Sequence, residues 1–198
     1  LHATPDAEVR LIFDDKVGDV IRARGDGDIA INISPQGDFK MYGDYVVKDG
    51  DYLFTLQNII NKKFDLEEGG KISWNGDPLE AQLNLTAVYR LRARLYELIA
   101  NTEDSASAEL YKKRTPINLK LNITNTMMSP DIAFDIELPT ADETTKNKVR
   151  SVLYVSDQQE NIQELNKQVF SLLVLNQFIP TNGGGTANYS NVGSTTST

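Results

Sequence analysis

Leu79-Glu80-Ala81-Gln82-Leu83-Asn84-Leu85-Thr86-Ala87-Val88-Tyr89-Arg90-Leu91-Arg92-Ala93-Arg94-Leu95 decides the fold class. Every odd-numbered residue in it is apolar, and the even ones are mostly Glu, Gln, Asn, Thr and Arg. Successive side chains of a β-strand point to opposite faces, so the stretch makes one apolar and one wet face along roughly 56 Å, at about 3.3 Å per residue. A helix would scatter the same residues around its circumference. Strands typically run only about 5 or 6 residues, so the strand reading is firmest over 79–91, and near Glu97 a helical continuation competes. Something must cover the apolar face.

The same alternation recurs on both sides of this stretch. Ile29, Ile31 and Ile33 form one apolar row; Phe39, Met41, Tyr45 and Val47 form the next, with Gly43 between them; Ile72 and Trp74 follow. Candidate turns separate them: Gly25-Asp26-Gly27-Asp28, Pro35-Gln36-Gly37-Asp38, Lys48-Asp49-Gly50-Asp51, Gly69-Gly70 and Asn75-Gly76-Asp77-Pro78. Glycine supplies positive φ, and Asp or Asn bonds its own backbone, so the pattern predicts a β-meander of hairpins. One wet face per strand means antiparallel sheet. After a polar gap around Asn101 to Glu109 come two more rows, Ile117, Leu119, Leu121 and Ile123, then Ile132, Phe134, Ile136 and Leu138, with Ser129-Pro130 in the turn.

The chain then changes character. Thr140 with Glu143, and Ser156 with Gln159, have the spacing of capping boxes at helix starts. Ile162, Leu165, Val169, Leu172 and Leu173 make a helical stripe ahead of Pro180, and that stripe needs a partner. From Thr181 the tail is uncharged Gly, Thr, Ser and Asn, the composition of a linker or disordered end. The expected organisation is a β-sheet domain over 1–139, a helical segment packing on it over 140–180, and a tail over 181–198.

A net charge of −8 over 198 residues argues against nucleic acid as a partner, because phosphate binding draws on clustered Lys and Arg. No cysteine is present, which excludes disulfides, thiolate catalysis and cysteine metal sites. The single histidine, His2, lies near the terminus, so a histidine triad or metal cluster is not expected. No run of 18 apolar residues spans a bilayer, and a start at Leu1 reads as a piece of a longer protein. The Asp26 and Asp49 turns fail as calcium loops: twelve positions from Asp49 stands Ile60, where an EF-hand needs a bidentate Glu. No carboxylate stands in a context that would raise its pKa, and neither an enzyme nor a cofactor is expected. The sequons at Asn32, Asn84 and Asn122 fall inside predicted strands. Arg90, Arg92 and Arg94 line the wet face of the long strand, either as head-group contacts or as cross-strand partners of Asp and Glu.

Several ordered motifs together resemble a known family. They are Gly25-Asp26-Gly27, Gly50-Asp51-Tyr52-Leu53-Phe54 with Phe64, Ile72-Ser73-Trp74-Asn75-Gly76-Asp77-Pro78 running into Ala81, Leu85 and Ala87-Val88-Tyr89, Ser129 to Pro139, and Gln168 to Phe178. This set is similar to the C-terminal domain of the TamB family, translocation and assembly module subunits, in the versions found in Bacteroidetes, and it covers residues 4–180. The resemblance implies a mainly β fold, a long antiparallel amphipathic sheet curled into a taco-like groove, with one or two C-terminal helices. It also implies a periplasmic location within a longer protein anchored in the inner membrane, a partner barrel of the Omp85 type (TamA-like), and a role in phospholipid transport and outer-membrane protein assembly.

Under that implication the leading expectation is an apolar groove that conducts phospholipid acyl chains. Its candidate lining is Ile29, Ile31, Ile33, Phe39, Met41, Ile72, Trp74, Leu83, Leu85, Ala87, Tyr89, Leu91, Leu119, Leu121, Ile123, Phe134 and Ile136, with Arg90, Arg92 and Arg94 for head groups. Burial of acyl chain gains about 0.8 kcal/mol per methylene, and rows of similar Leu, Ile and Ala avoid a deep trap. The alternatives are a chaperone-like adaptor that binds outer-membrane barrels by strand-edge augmentation, or a structural domain whose sheet and helix cover each other.

Overall fold

The computed structural model describes residues 1–14, 19–56, 60–99, 105–154 and 158–181. Alternation dominates it. Nine strands, β1 (His2–Ala3), β2 (Glu8–Asp14), β3 (Asp19–Ile33), β4 (Phe39–Leu56), β5 (Ile60–Leu66), β6 (Lys71–Gly76), β7 (Gln82–Arg94), β8 (Arg114–Thr126) and β9 (Ser129–Glu137), join in one antiparallel sheet. Among the described residues four α-helices accompany it: α1 (Tyr96–Ile99), α2 (Ser105–Tyr111), α3 (Glu143–Leu153) and α4 (Gln158–Leu175). The main path across the sheet is β1-β3-β4-β5-β7-β8-β9; β2 also pairs with β3, and β6 pairs with β4 and β7. β5 and β6 run back along different lengths of β4, so together they act as one interrupted strand.

The register gathers the inward residues into rungs. Ile21, Tyr52 and Phe64 are successive cross-strand neighbours. The Phe64 ring lies 5.6 Å from that of Tyr89, and Tyr89 continues to Leu119 and Ile136. A parallel rung runs Leu66, Ala87, Leu121, Phe134. These rungs do not lie flat. β4 and β9 are four strand steps apart, about 19 Å at roughly 4.8 Å per step, yet the Phe54 and Phe134 rings meet edge to face at 5.7 Å. The sheet therefore bends over its apolar face.

Two of the expected turns are the means of bending. Gly25-Asp26-Gly27-Asp28 lies within β3, and Lys48-Asp49-Gly50-Asp51 within β4, so neither is a hairpin turn. Arg24 pairs with Asp49 and Gly25 with Val47, leaving Lys48 as an extra residue in β4. This bulge shifts the inward set of β4 from odd residues, Tyr45 and Val47, to even ones, Tyr52 and Phe54. The flanking glycines permit close approach. A Cβ on Gly25 would sit 2.0 Å from the Val46 carbonyl oxygen; Gly43, at φ 128°, would set one 2.1 Å from that of Asp28. Pro35 to Asp38 and Gly69-Gly70 do separate strands, whereas of Asn75 to Pro78 only Asp77 and Pro78 lie beyond β6.

Other boundaries moved for identifiable reasons. Asp77 accepts from the Leu79 amide and caps a 3-10 turn at Pro78–Glu80, so the long strand begins at Gln82 and Leu79 is exposed. The expected polar gap contains α2, whose short run shows no apolar stripe. Thr140 does not start α3; Asp142 does, by accepting from the Thr145 amide at 2.9 Å. Ser156 lies outside the described residues. α4 ends at Leu175, because Asn176 turns to φ 54°, five residues ahead of the stop expected at Pro180. Among the described residues no helix is long and apolar enough to cross a membrane.

Two expectations follow. Replacing Gly43 with Ala forces both strain and a backbone clash, and should lower unfolding free energy by about 2 kcal/mol or more in chemical denaturation. The Asp142 carboxyl is held below its ordinary value of 3.8 by hydrogen bonds from Thr145. A depressed acid stabilises the fold above its unfolded pKa and loses that contribution as pH falls through the folded one. Asp142→Ala should therefore lower Tm at pH 7, and the gap to the parent should close on acidification below 3.8.

Candidate apolar interior and its open end

The inner face divides into a filled region and an open one. Ile72, Leu83, Leu85, Ala87, Leu119, Leu121, Ile123 and Ile136 are buried, as are Ile29 and Trp74, whose indole donates to the Pro78 carbonyl at 3.3 Å. Tyr89, Leu91, Met41 and Phe134 are half-buried. Toward the β3–β4 hairpin the cover stops: Ile31, Phe39 and Ile132 are exposed, and Ile33 is 71% exposed. The seventeen candidate lining residues thus share one face, and the exposed ones among them, Ile31, Ile33 and Phe39, lie at the hairpin.

The filling comes from the sheet itself and from α4. Tyr52, Phe54, Phe64, Tyr89 and Phe134 form a chain of ring contacts with centroids 5.6–5.9 Å apart. α4 lies against β5 and β9 and buries Leu165, Val169, Leu172 and Leu173, whereas Ile162 of the expected stripe faces solvent. The segment beyond α4 folds back. Gln168, fully buried, donates to the Ile179 carbonyl at 2.8 Å and accepts from its amide at 3.0 Å, while the Ser171 hydroxyl donates to the Gln177 carbonyl at 2.7 Å. A side-chain amide thereby stands in for a strand partner and fixes Phe178 in the core.

Tyr52, Phe54, Phe64 and Phe178 were not among the candidates drawn from alternation. The first two are hidden by the Lys48 bulge; Phe178 lies beyond any periodic element. Lys62 was missed as well. It is paired opposite inward-facing Phe54, and its ammonium donates to the Tyr89 hydroxyl at 3.4 Å and sits 5.4 Å from that ring's centroid.

The arginines of β7 divide. Arg90 donates to Asp65 at 2.7 Å, the cross-strand pairing expected in an acidic protein. Arg92 donates to the Arg114 carbonyl, and Arg114 to that of Arg92, each at 3.0 Å. Arg94 lines a cleft with Arg114 and Glu97. The aspartates of the turns that fail as calcium loops sit in ion pairs: Asp26 pairs with Lys48, and Asp51 with Arg22 and Lys63. On β9, Asp135 accepts from the Tyr154 hydroxyl of α3's end, and burial first, then that carboxylate, push the tyrosine pKa up. Lys120 keeps its charge; burial opposes it, but Glu137 and Glu67 outweigh burial and raise its pKa.

A family model described as the TamB C-terminal domain matches residues 1–198. The chain belongs to the TamB family. No curated protein and no solved structure matches it. Membership gives this TamB domain a role in the translocation and assembly module, in a family that works with TamA-type partners and fits an envelope location. The bent sheet with its apolar inside is thus the C-terminal domain of a TamB-like protein.

Charge substitution should separate the two regions of the TamB domain's inner face. Leu121→Asp places a carboxylate among fully buried side chains and should unfold the domain or cost more than about 4 kcal/mol. Ile33→Asp should change unfolding free energy by no more than about 0.5 kcal/mol in the same denaturation assay.

Proposed function

We propose that the domain shields phospholipid acyl chains along the apolar inner face of its sheet, as part of a periplasmic protein anchored in the inner membrane. The observation that carries this reading is the exposed continuation of the inner face, at Ile31, Ile33, Phe39 and Ile132, beyond the region that α4 covers. An apolar face of this kind is favourable for hydrocarbon and unfavourable for water. α4 then acts as a plug, and the open end is where chains enter or leave. No catalysis is involved. Strand-edge augmentation ranks second. β9 pairs only with β8 among the described strands, but it carries Pro130, Asp131 and Asp135, residues that protect an edge from further pairing.

The test is site-specific photocrosslinking in cells. A benzophenone residue at Ile33, Phe39 or Ile132 should capture phospholipid, one at Leu121 should not, and Leu172→Ser, which loosens α4, should raise labelling at Leu121. Capture of outer-membrane barrel proteins from Asp131 and Ala133, with no lipid at any inner-face position, would favour the adaptor instead.

A further inference from the structure

A second surface combines exposed apolar groups with cations at the opposite end of the sheet. The strand ends there bring Arg94 of β7 directly across from Arg114 of β8. Like charges facing each other on neighbouring strands are destabilising, and the protein carries a net charge of −8, so carboxylates to separate them are plentiful. Yet among the described residues no carboxylate lies within ion-pair distance of Arg92, Arg94 or Arg114. Arg92 and Arg114 reach only each other's backbone carbonyls. The cleft beside them, about 300 Å³, is lined by Arg94, Arg114, Glu97 and the end of α4, Leu175 to Gln177.

That end of α4 is apolar where it need not be. Its inward stripe is complete with Leu165, Val169, Leu172 and Leu173, but Phe170, Val174 and Leu175 face solvent, Leu175 at 55% exposure. Phe170 and Val174 are one turn apart, and Leu175 borders the arginine cleft. Apolar prongs beside guanidiniums that have no carboxylate partner among the described residues are the two halves of an interfacial surface: the prongs enter the head-group layer and the guanidiniums bind its phosphates.

We infer that this end of the domain docks on an anionic phospholipid surface, with Phe170, Val174 and Leu175 seated among head groups and Arg92, Arg94 and Arg114 binding phosphate. The occupant follows from charge complementarity combined with the apolar stripe; a free phosphate uses only the arginines. The docking surface is separate from the open end of the inner face and does not depend on lipid being carried there.

Flotation of the full chain with vesicles tests it. The parent should float with vesicles containing phosphatidylglycerol and stay behind with phosphatidylcholine alone. Removing two arginines, as Arg94→Gln with Arg114→Gln, should weaken partition about 25-fold, at roughly fivefold per basic residue. Phe170→Ser with Leu175→Ser should weaken it too, whereas Ile33→Asp with Phe39→Asp at the other end should leave it unchanged. All are surface changes, and an unaltered Tm checks that each variant is folded. Failure of the parent to float with anionic vesicles, equal flotation after the arginine change, or indifference to the Phe170 and Leu175 change overturns the inference; the last of these marks the cluster as a site for a soluble anion or an acidic protein. Loss of flotation only with the Ile33 and Phe39 change also overturns it, while leaving the shielding of acyl chains in place.

Discussion

An apolar sheet face this large cannot remain in water, and the way it is covered determines the rest of the molecule. A flat sheet would need a second layer along its whole length. Here the sheet bends until β4 and β9 bring Phe54 and Phe134 into contact, and α4 covers what the bend leaves open near β5 and β9. The bend requires places where strands approach without side chains, supplied by glycines such as Gly25 and Gly43. It also requires the Lys48 bulge, without which Tyr52 and Phe54 would point outward. Gln168 then holds the returning chain so that Phe178 enters the core.

The outer face has a different task. Arg22 and Lys63 flank Asp51, Lys71 pairs with Asp44, Arg90 with Asp65, and Lys120 with Glu67 and Glu137. Each exposed pair contributes little to stability. Together they make the wrong registers costly, since a one-residue slip would turn these charges inward. Among the described residues the arginines at the ends of β7 and β8 stand apart from this ordered pairing, and the inferred docking on an anionic surface rests on them.

Much of the architecture was legible because period-two alternation survives in single strands. The rows at Leu83–Leu91, Ile117–Ile123 and Phe134–Ile136 lie where alternation put them, and the α4 stripe from Leu165 to Leu173 faces inward as its spacing requires. Asp-Gly pairs misled because the same residues that form tight turns also form bulges: a glycine between aspartates permits the needed backbone whether the chain reverses or merely bends. The start of α3 moved from Thr140 to Asp142 because either side chain can cap and the better-placed oxygen wins. Ile162 was grouped with the stripe by spacing alone, whereas its burial depended on what lies opposite.

By itself the sequence determined that the fold is a one-sided antiparallel sheet with helices after it, that no cysteine is present to form a disulfide or a thiolate, and, through its ordered motifs, that it is of the TamB kind. Those properties are local: alternation, residue type and motif order survive without knowing where any strand lies in space. Only the tertiary structure decided which apolar residues are covered. Leu121 and Ile33 occupy equivalent inward positions in similar rows, yet one is sealed beneath its neighbours and the other is open to solvent. The difference lies in the bend of the sheet and the reach of α4, which set distances between residues far apart in the chain and leave no mark on the alternation of either strand.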